Sequence, residues 1–284
     1  MRPSIVEFLQ GHGLYMLATA VPTRSVVYLL AMAVATLLFL RRSKRVGLSL
    51  DLTLPLAAVA AFGTLVGARL YFLLDRGGVM TEGPAAWIEN HGQGSWGACI
   101  GAAVAGALFL KLKRARPWPA LDAAASSVTL AIAIARLGCF LDGCDFGRMT
   151  SHSWGVHYPE TSAVFRAQVS EGLLSPEAAQ SLAVHPLPLY LAVNALVLFV
   201  ILSLVWRRWA HRPGLTFALT CALYGSTRFF LEILRDPAAG GAVSGLSVLQ
   251  WTAVGAVGFG AFLVVASFRR AGAVRPQPLA TPAA

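Results

Sequence analysis

From Leu187 to Trp206 the chain runs LPLYLAVNALVLFVILSLVW without a charged side chain. At about 1.5 Å per residue, a helix of that length crosses the roughly 30 Å hydrocarbon core of a bilayer, where only internally bonded backbone is tolerated. Similar windows lie near residues 24–40, 53–75, 95–111, 119–141, 214–235 and 246–268. With 56% apolar and 13% charged residues, the chain has too little polar surface to cover these segments in water. The expected fold is all-α: a polytopic integral membrane protein with about seven transmembrane helices.

A net charge of +10 would suggest nucleic acid in a soluble protein. Here the Lys and Arg punctuate apolar spans. No basic run is interleaved with aromatics, and no Gly-rich phosphate loop ends in Gly-Lys-Ser/Thr, so neither nucleic acid nor nucleotide is an expected partner. Four basic groups alternate along the chain: Arg41, Arg42, Lys44 and Arg45; Lys111, Lys113, Arg114 and Arg116; Arg207, Arg208 and Arg212; Arg269, Arg270 and Arg275. Basic loops stay cytoplasmic, which predicts an amino terminus outside and a carboxyl terminus inside. Residues 1–22 are amphipathic without the layout of a cleaved signal peptide and are expected to lie at the interface. Residues 1–270 are read as one transmembrane domain with an outer loop at about 142–186, followed by a disordered tail at 271–284. No internal repeat is visible, which argues against a transporter built from inverted repeats.

Three arginines, Arg69, Arg136 and Arg228, fall inside predicted spans. Each costs roughly 2.5 to 3.5 kcal/mol at mid-span on insertion scales, so each needs a partner, a wet cavity or a bound anion. Their distances from the outer helix ends put all three roughly 8 to 11 Å below the outer surface. Singly, each could snorkel outward or pair structurally. Shared depth favours a common anionic site, and the phosphate of an outer-leaflet phospholipid is the anion available there. In the sixth span Tyr224, Arg228 and Glu232 share one helical face at i, i+4 and i+8, with Arg235 beyond them. Glu232 can neutralise one arginine but not three; a structural ion pair to a neighbouring helix is the alternative reading.

The end of the fourth span continues into Arg136-Leu-Gly138-Cys139-Phe-Leu-Asp142-Gly143-Cys144-Asp145-Phe-Gly147-Arg148, followed by His152, Trp154, Gly155 and His157. The long loop closes on His185-Pro186-Leu-Pro188-Leu-Tyr190. These motifs resemble the prolipoprotein diacylglyceryl transferases, bacterial membrane enzymes that move diacylglycerol from phosphatidylglycerol to a lipobox cysteine thiol. Of the family signature Gly-Arg-x-Gly-Asn-Phe-x-Asn-Gly-Glu-x-x-Gly-Arg the chain keeps Arg136, Gly138, Phe140, Gly143, Gly147 and Arg148. The Gly-Ala-Arg motif is present as Gly67, Ala68 and Arg69. The Tyr-Gly-x-x-Arg-Phe-x-x-Glu-x-x-Arg-x-Pro motif is present as Tyr224, Gly225, Arg228, Phe229, Glu232, Arg235 and Pro237.

The departures fall on the family's polar positions. Cys139 and Asp142 stand for two asparagines, Cys144 for the glutamate, and Trp96 for the histidine of His-Gly-Gly-x-x-Gly, here Trp96 to Gly101. The resemblance implies an inner-membrane transferase of lipoprotein biosynthesis that uses no cofactor. Its implied partners are phosphatidylglycerol and a prolipoprotein signal peptide; the alternative is a divergent relative that binds anionic lipid or lipoprotein without transfer. It implies Arg136 and Arg228 on the phosphate, Arg69 and Arg235 in support, Glu232 orienting an arginine and Tyr224 beside them. His185, Asp142, Asp145 and His157 are candidate bases for a thiol of pKa about 8.5, with His185 preferred for its place at the mouth of the fifth span. His185 could equally cap that helix beside Pro186.

Cys99 and Cys221 read as small buried hydrophobes. Cys139 and Cys144 could instead form a disulfide, a reactive thiol pair or a metal site with Asp145, His152 or His157. Five-residue spacing is no zinc pattern and a helix end would have to unwind to join the sulfurs, so free thiols and no metal are expected.

Overall fold

The computed structural model describes residues 23–75, 95–210, 212–235 and 242–273. The 1–22 segment and the tail beyond 273, expected above to be interfacial and disordered, lie outside the described residues. Long helices form where the apolar windows lie. They are α1 Thr23–Arg45, α2 Leu50–Asp75, α3 Ser95–Leu112, α4 Pro117–Asp142, α6 Leu187–Trp209, α7 Leu215–Glu232 and α8 Val248–Ala273, with a short α5 at Ala163–Ser170. A two-residue hairpin, β1 Ala242–Val243 with β2 Leu246–Ser247, precedes α8.

Among the described residues five helices, α1, α2, α4, α6 and α8, are long and apolar enough to cross a membrane; α3 is apolar but shorter, and α7 carries Arg228 and Glu232. Their outward side chains are large and apolar: Phe62, Phe230 and Phe262 are 68%, 67% and 68% exposed. Only lipid accommodates so much exposed apolar surface. The chain is an all-α polytopic integral membrane protein.

The helix ends depart from the apolar windows for local reasons. α1 runs on to Arg45 because Arg42, Lys44 and Arg45 suit the negative end of its dipole. α7 stops at Glu232, so Arg235 lies in a turn beyond it. α8 begins after Ser247 in a capping box: Ser247 Oγ accepts from Gln250 N (3.1 Å), and Gln250 Oε1 accepts from Ser247 N (2.9 Å). Ser244 and Gly245, at φ 53° and 80°, make the tight turn that aims Ser247.

Two compact units divide the chain. In residues 36–123, α2 and α3 pack through Gly63, Gly67, Gly97 and Gly101, two glycine pairs each spaced i, i+4. A Cβ on Gly67 would fall well inside contact distance of Gly97 O, and one on Gly97 inside that of Gly67 O. The glycines of the Trp96–Gly101 motif therefore serve helix contact. The unit of residues 1–35 and 124–284 holds the α7/α8 pair, where a Cβ on Gly260 would sit 2.6 Å from Ala222 N. It also holds α6, tied to α7 by Asn194 Nδ2 donating to Thr227 Oγ1 at 3.0 Å.

The 143–186 segment in that unit is ordered. Its core is Tyr158, Val164 and Val184 with Phe140, Phe146 and Val156 packed around them. Ser162 caps α5 by accepting from Phe165 N. The Gln168 side-chain amide substitutes for a strand neighbour, accepting from Leu182 N at 2.8 Å and donating to Leu182 O at 3.4 Å.

Candidate functional site

The signature loop begins where α4 is forced to stop. Gly143 adopts φ 67°, its N–H donates to Phe140 O (3.3 Å), and Cys144 N donates to Cys139 O (3.1 Å). These are the paired bonds of a Schellman ending. No side chain fits at Gly143, where a Cβ would lie 2.9 Å from the Tyr158 ring. Gly147 is equally constrained, 2.7 Å from Leu234 O and 2.8 Å from His185 Cβ on the same measure. Backbone bonds from Gly147 N to His185 O (3.1 Å), His185 N to Arg148 O (3.0 Å) and Arg148 N to Leu234 O (2.9 Å) stitch this loop to the start of α6 and the turn after α7. Arg148 Nε also donates to Arg235 O at 3.1 Å.

This stitching gathers three arginines around one carboxylate. Arg136, one and a half turns before the end of α4, pairs through Nη1 with Asp145 Oδ2, while Arg235 Nη2 donates to Asp145 Oδ1 at 2.9 Å. Arg228 and Glu232 form a buried i, i+4 ion pair on α7, 2.5 Å apart, and Ser247 Oγ donates to Glu232 Oε1 at 3.4 Å. Tyr224 lies close enough to Arg136 to interact with it electrostatically. Burial alone would push the Asp145 carboxyl up, but Arg136 and Arg235, with Arg228 behind them, outweigh it and hold it below the usual carboxylate range. An acid so stabilised is a weak proton acceptor. With Arg136, Arg148, Arg228 and Arg235 against Asp145 and Glu232, the cluster keeps a surplus of positive charge and so favours a further anion.

The other sequence candidates are placed as follows. Arg69 is half-buried on α2, in the 36–123 unit. Gly138 is buried on α4. Asp142 and His157 line a cavity of about 50 Å³ with Thr161 and Ser162, and His157 Nδ1 lies 2.7 Å from Ser181 O. His185 sits beside Gly147: its Nδ1 is 3.3 Å from the Tyr190 hydroxyl, and its ring is 5.8 Å from that of His152, which stacks on Trp154. Trp96 carries no described side chain, and Pro237 lies outside the described residues.

Cys139 and Cys144 are both free thiols; Cys139 is buried and Cys144 half-buried. The helix reversal at Gly143 brings them within side-chain hydrogen-bonding reach, and Cys139 Sγ lies 3.2 Å from the Tyr28 hydroxyl. Tyr158, next to this pair, is pushed up to about 12 by burial, with Cys144 adding to it. Among the described residues no group of three or more His, Cys, Asp or Glu converges as metal ligands would. A membrane-impermeant maleimide is expected to label Cys144 without reductant, with Cys144→Ala removing most of that label and Cys139→Ala sparing it. Labelling only after reduction would show a disulfide instead.

Three participants escaped the sequence reading: Tyr28, Ser247 and the bridging role of Asp145. Ser247 had a usable signal, the Ser-x-x-Gln of a capping box. Tyr28 had none, because its partner is 111 residues away.

The family model described as prolipoprotein diacylglyceryl transferase matches residues 14–266. A phosphatidylglycerol–prolipoprotein diacylglyceryl transferase of Clostridium tetani is 30% identical over 236 residues, covering 82% of this chain and 88% of the relative. Proteins of the same name from Chlorobaculum tepidum and Leifsonia xyli are each 29% identical, covering 75% and 96% of this chain and 73% and 82% of their own. With these matches spanning the helices that carry Arg136, Arg228 and Glu232, the chain belongs to the prolipoprotein diacylglyceryl transferase family.

Proposed function

We propose that this chain transfers diacylglycerol from phosphatidylglycerol to the cysteine thiol of a prolipoprotein signal peptide, at the outer face of the bacterial inner membrane. The observation that carries the reading is the arginine cluster where α4 and α7 end, with Arg136 and Arg235 on Asp145 and Arg228 on Glu232. Seven crossings with the amino terminus outside follow from the alternating basic loops and put that cluster in the outer leaflet.

In the reaction the acceptor sulfur attacks the glyceryl carbon that bears the phosphate. A carbon–sulfur bond forms, the carbon–oxygen bond breaks, and glycerol phosphate leaves with the electron pair. Arg136, Arg228 and Arg235 hold the phosphate and stabilise that charge, Glu232 fixes the rotamer of Arg228, and Tyr224 borders Arg136. The thiol proton passes to His185. Support for His185 is its seat against Gly147 and Arg148, while Asp145 is occupied by arginines and Asp142 and His157 face the small cavity.

Purified protein in mixed micelles with phosphatidylglycerol and a lipobox peptide should yield a peptide heavier by one diacylglyceryl group, with one glycerol phosphate released per peptide. Lipid binding without either product would replace this reading with that of a binding relative whose chemistry was lost with Trp96, Cys139 and Cys144.

A further inference from the structure

The arginines that would hold a lipid phosphate already hold an anion. Arg136 takes one oxygen of Asp145 and Arg235 the other, so a single carboxylate spans the gap between the end of α4 and the turn after α7. Two non-bridging phosphate oxygens present the same pair of acceptors to the same two guanidinium groups. Asp145 is not sealed in: its side chain is 27% exposed. It also occupies left-handed backbone at φ 56°, between the reversal at Gly143 and the tight contact at Gly147. A short polar side chain is among the few that adopt this conformation readily.

We propose that Asp145 is a resident counter-anion, a positioning residue that holds Arg136 and Arg235 in register and is displaced from them by the phosphate of an anionic glycerophospholipid. Its removal then has two opposed effects. The lipid phosphate loses its competitor and binds more tightly, while the two guanidinium groups lose the template that aligns them and turnover slows. A mere structural staple has neither signature: its loss lowers the folded fraction and leaves the affinity of the folded protein unchanged.

The test uses the full chain in detergent micelles. Phosphatidylglycerol binding is titrated alongside steady-state transfer, for wild type and Asp145→Asn. Asparagine is nearly isosteric and tolerates left-handed backbone, so the loop is retained. Asp145→Asn is expected to tighten lipid binding about tenfold and to lower kcat by a similar factor, so KM and kcat fall together. Asp145→Ser carries the same expected signs if the asparagine variant does not fold. Unchanged or weaker lipid binding in Asp145→Asn overturns the proposal.

The proposal rests on the transferase reading only for its kcat arm. If wild type transfers nothing yet Asp145→Asn tightens binding, the counter-anion stands and the transferase reading falls. If wild type transfers and binding in Asp145→Asn does not tighten, the reverse holds.

Discussion

Arg228→Ala should lower diacylglyceryl transfer about a hundredfold or more, because in the proposed mechanism it removes a preorganised cation from the atom on which leaving-group charge develops. The loss of binding alone is on the order of 1.5 to 3 kcal/mol for a hydrogen bond to a charged group. Stability will fall as well. Arg228 and Glu232 are 9% and 4% exposed at the side chain, so alanine at 228 strands a buried carboxylate, a change that costs about 3 to 5 kcal/mol when one partner of a buried pair is removed. The two effects separate with Arg228→Met combined with Glu232→Leu, which removes both charges, should recover most of the thermal stability, and should remain inactive. Arg228→Lys keeps the ion pair but not the planar fork, so a stable protein with poor transfer is expected. Arg136→Ala should match Arg228→Ala in activity and destabilise less, since Asp145 retains Arg235. Wild-type turnover in either alanine variant, measured by peptide mass, would remove the arginine cluster from the chemistry.

The spans were legible because bilayer thickness imposes one length on every apolar window, and the windows at 187–206 and 119–141 lie inside α6 and α4. Their ends were less so. Apolarity marks where lipid contact stops, whereas α1 continues through Arg41 to Arg45, with its basic last turn matched to the dipole and Arg42 and Ser43 buried. The arginines could be singled out because intramembrane charge is costly, and the Tyr224, Arg228 and Glu232 ladder followed from helical spacing. Asp145 was legible only as one acid among several. What gives it Arg136 and Arg235 is positive φ at Gly143 and at Asp145 itself, together with strand-like bonding of Gly147 to Arg235 across 88 positions, and no periodicity encodes either. The same reversal explains the cysteines. Spacing along a continuous helix separates Cys139 from Cys144, but the helix ends between them, so the thiols meet without any unwinding.

Gly97→Ala should be as damaging to the fold as any single methyl group in this chain. A Cβ at 97 would press into Gly67 O and the Tyr71 Cβ, and one at 67 into Gly97 O and Gly101 Cα, so the backbones of α2 and α3 have no flexible side chain to yield. Overpacking typically costs about 1 to 3 kcal/mol, and backbone-on-backbone conflict belongs at the upper end. Gly106 provides the control on the same helix. A Cβ there meets only Leu56 Cδ1 at 3.8 Å, an ordinary contact, and alanine gains up to about 1 kcal/mol in helix propensity over glycine. Thermal denaturation followed by size exclusion should therefore show Gly97→Ala melting well below wild type and Gly106→Ala at or slightly above it. Equal stability of the two variants would mean that helix propensity, and not close backbone approach, governs α3, and that the Gly63, Gly67, Gly97 and Gly101 contact is slack.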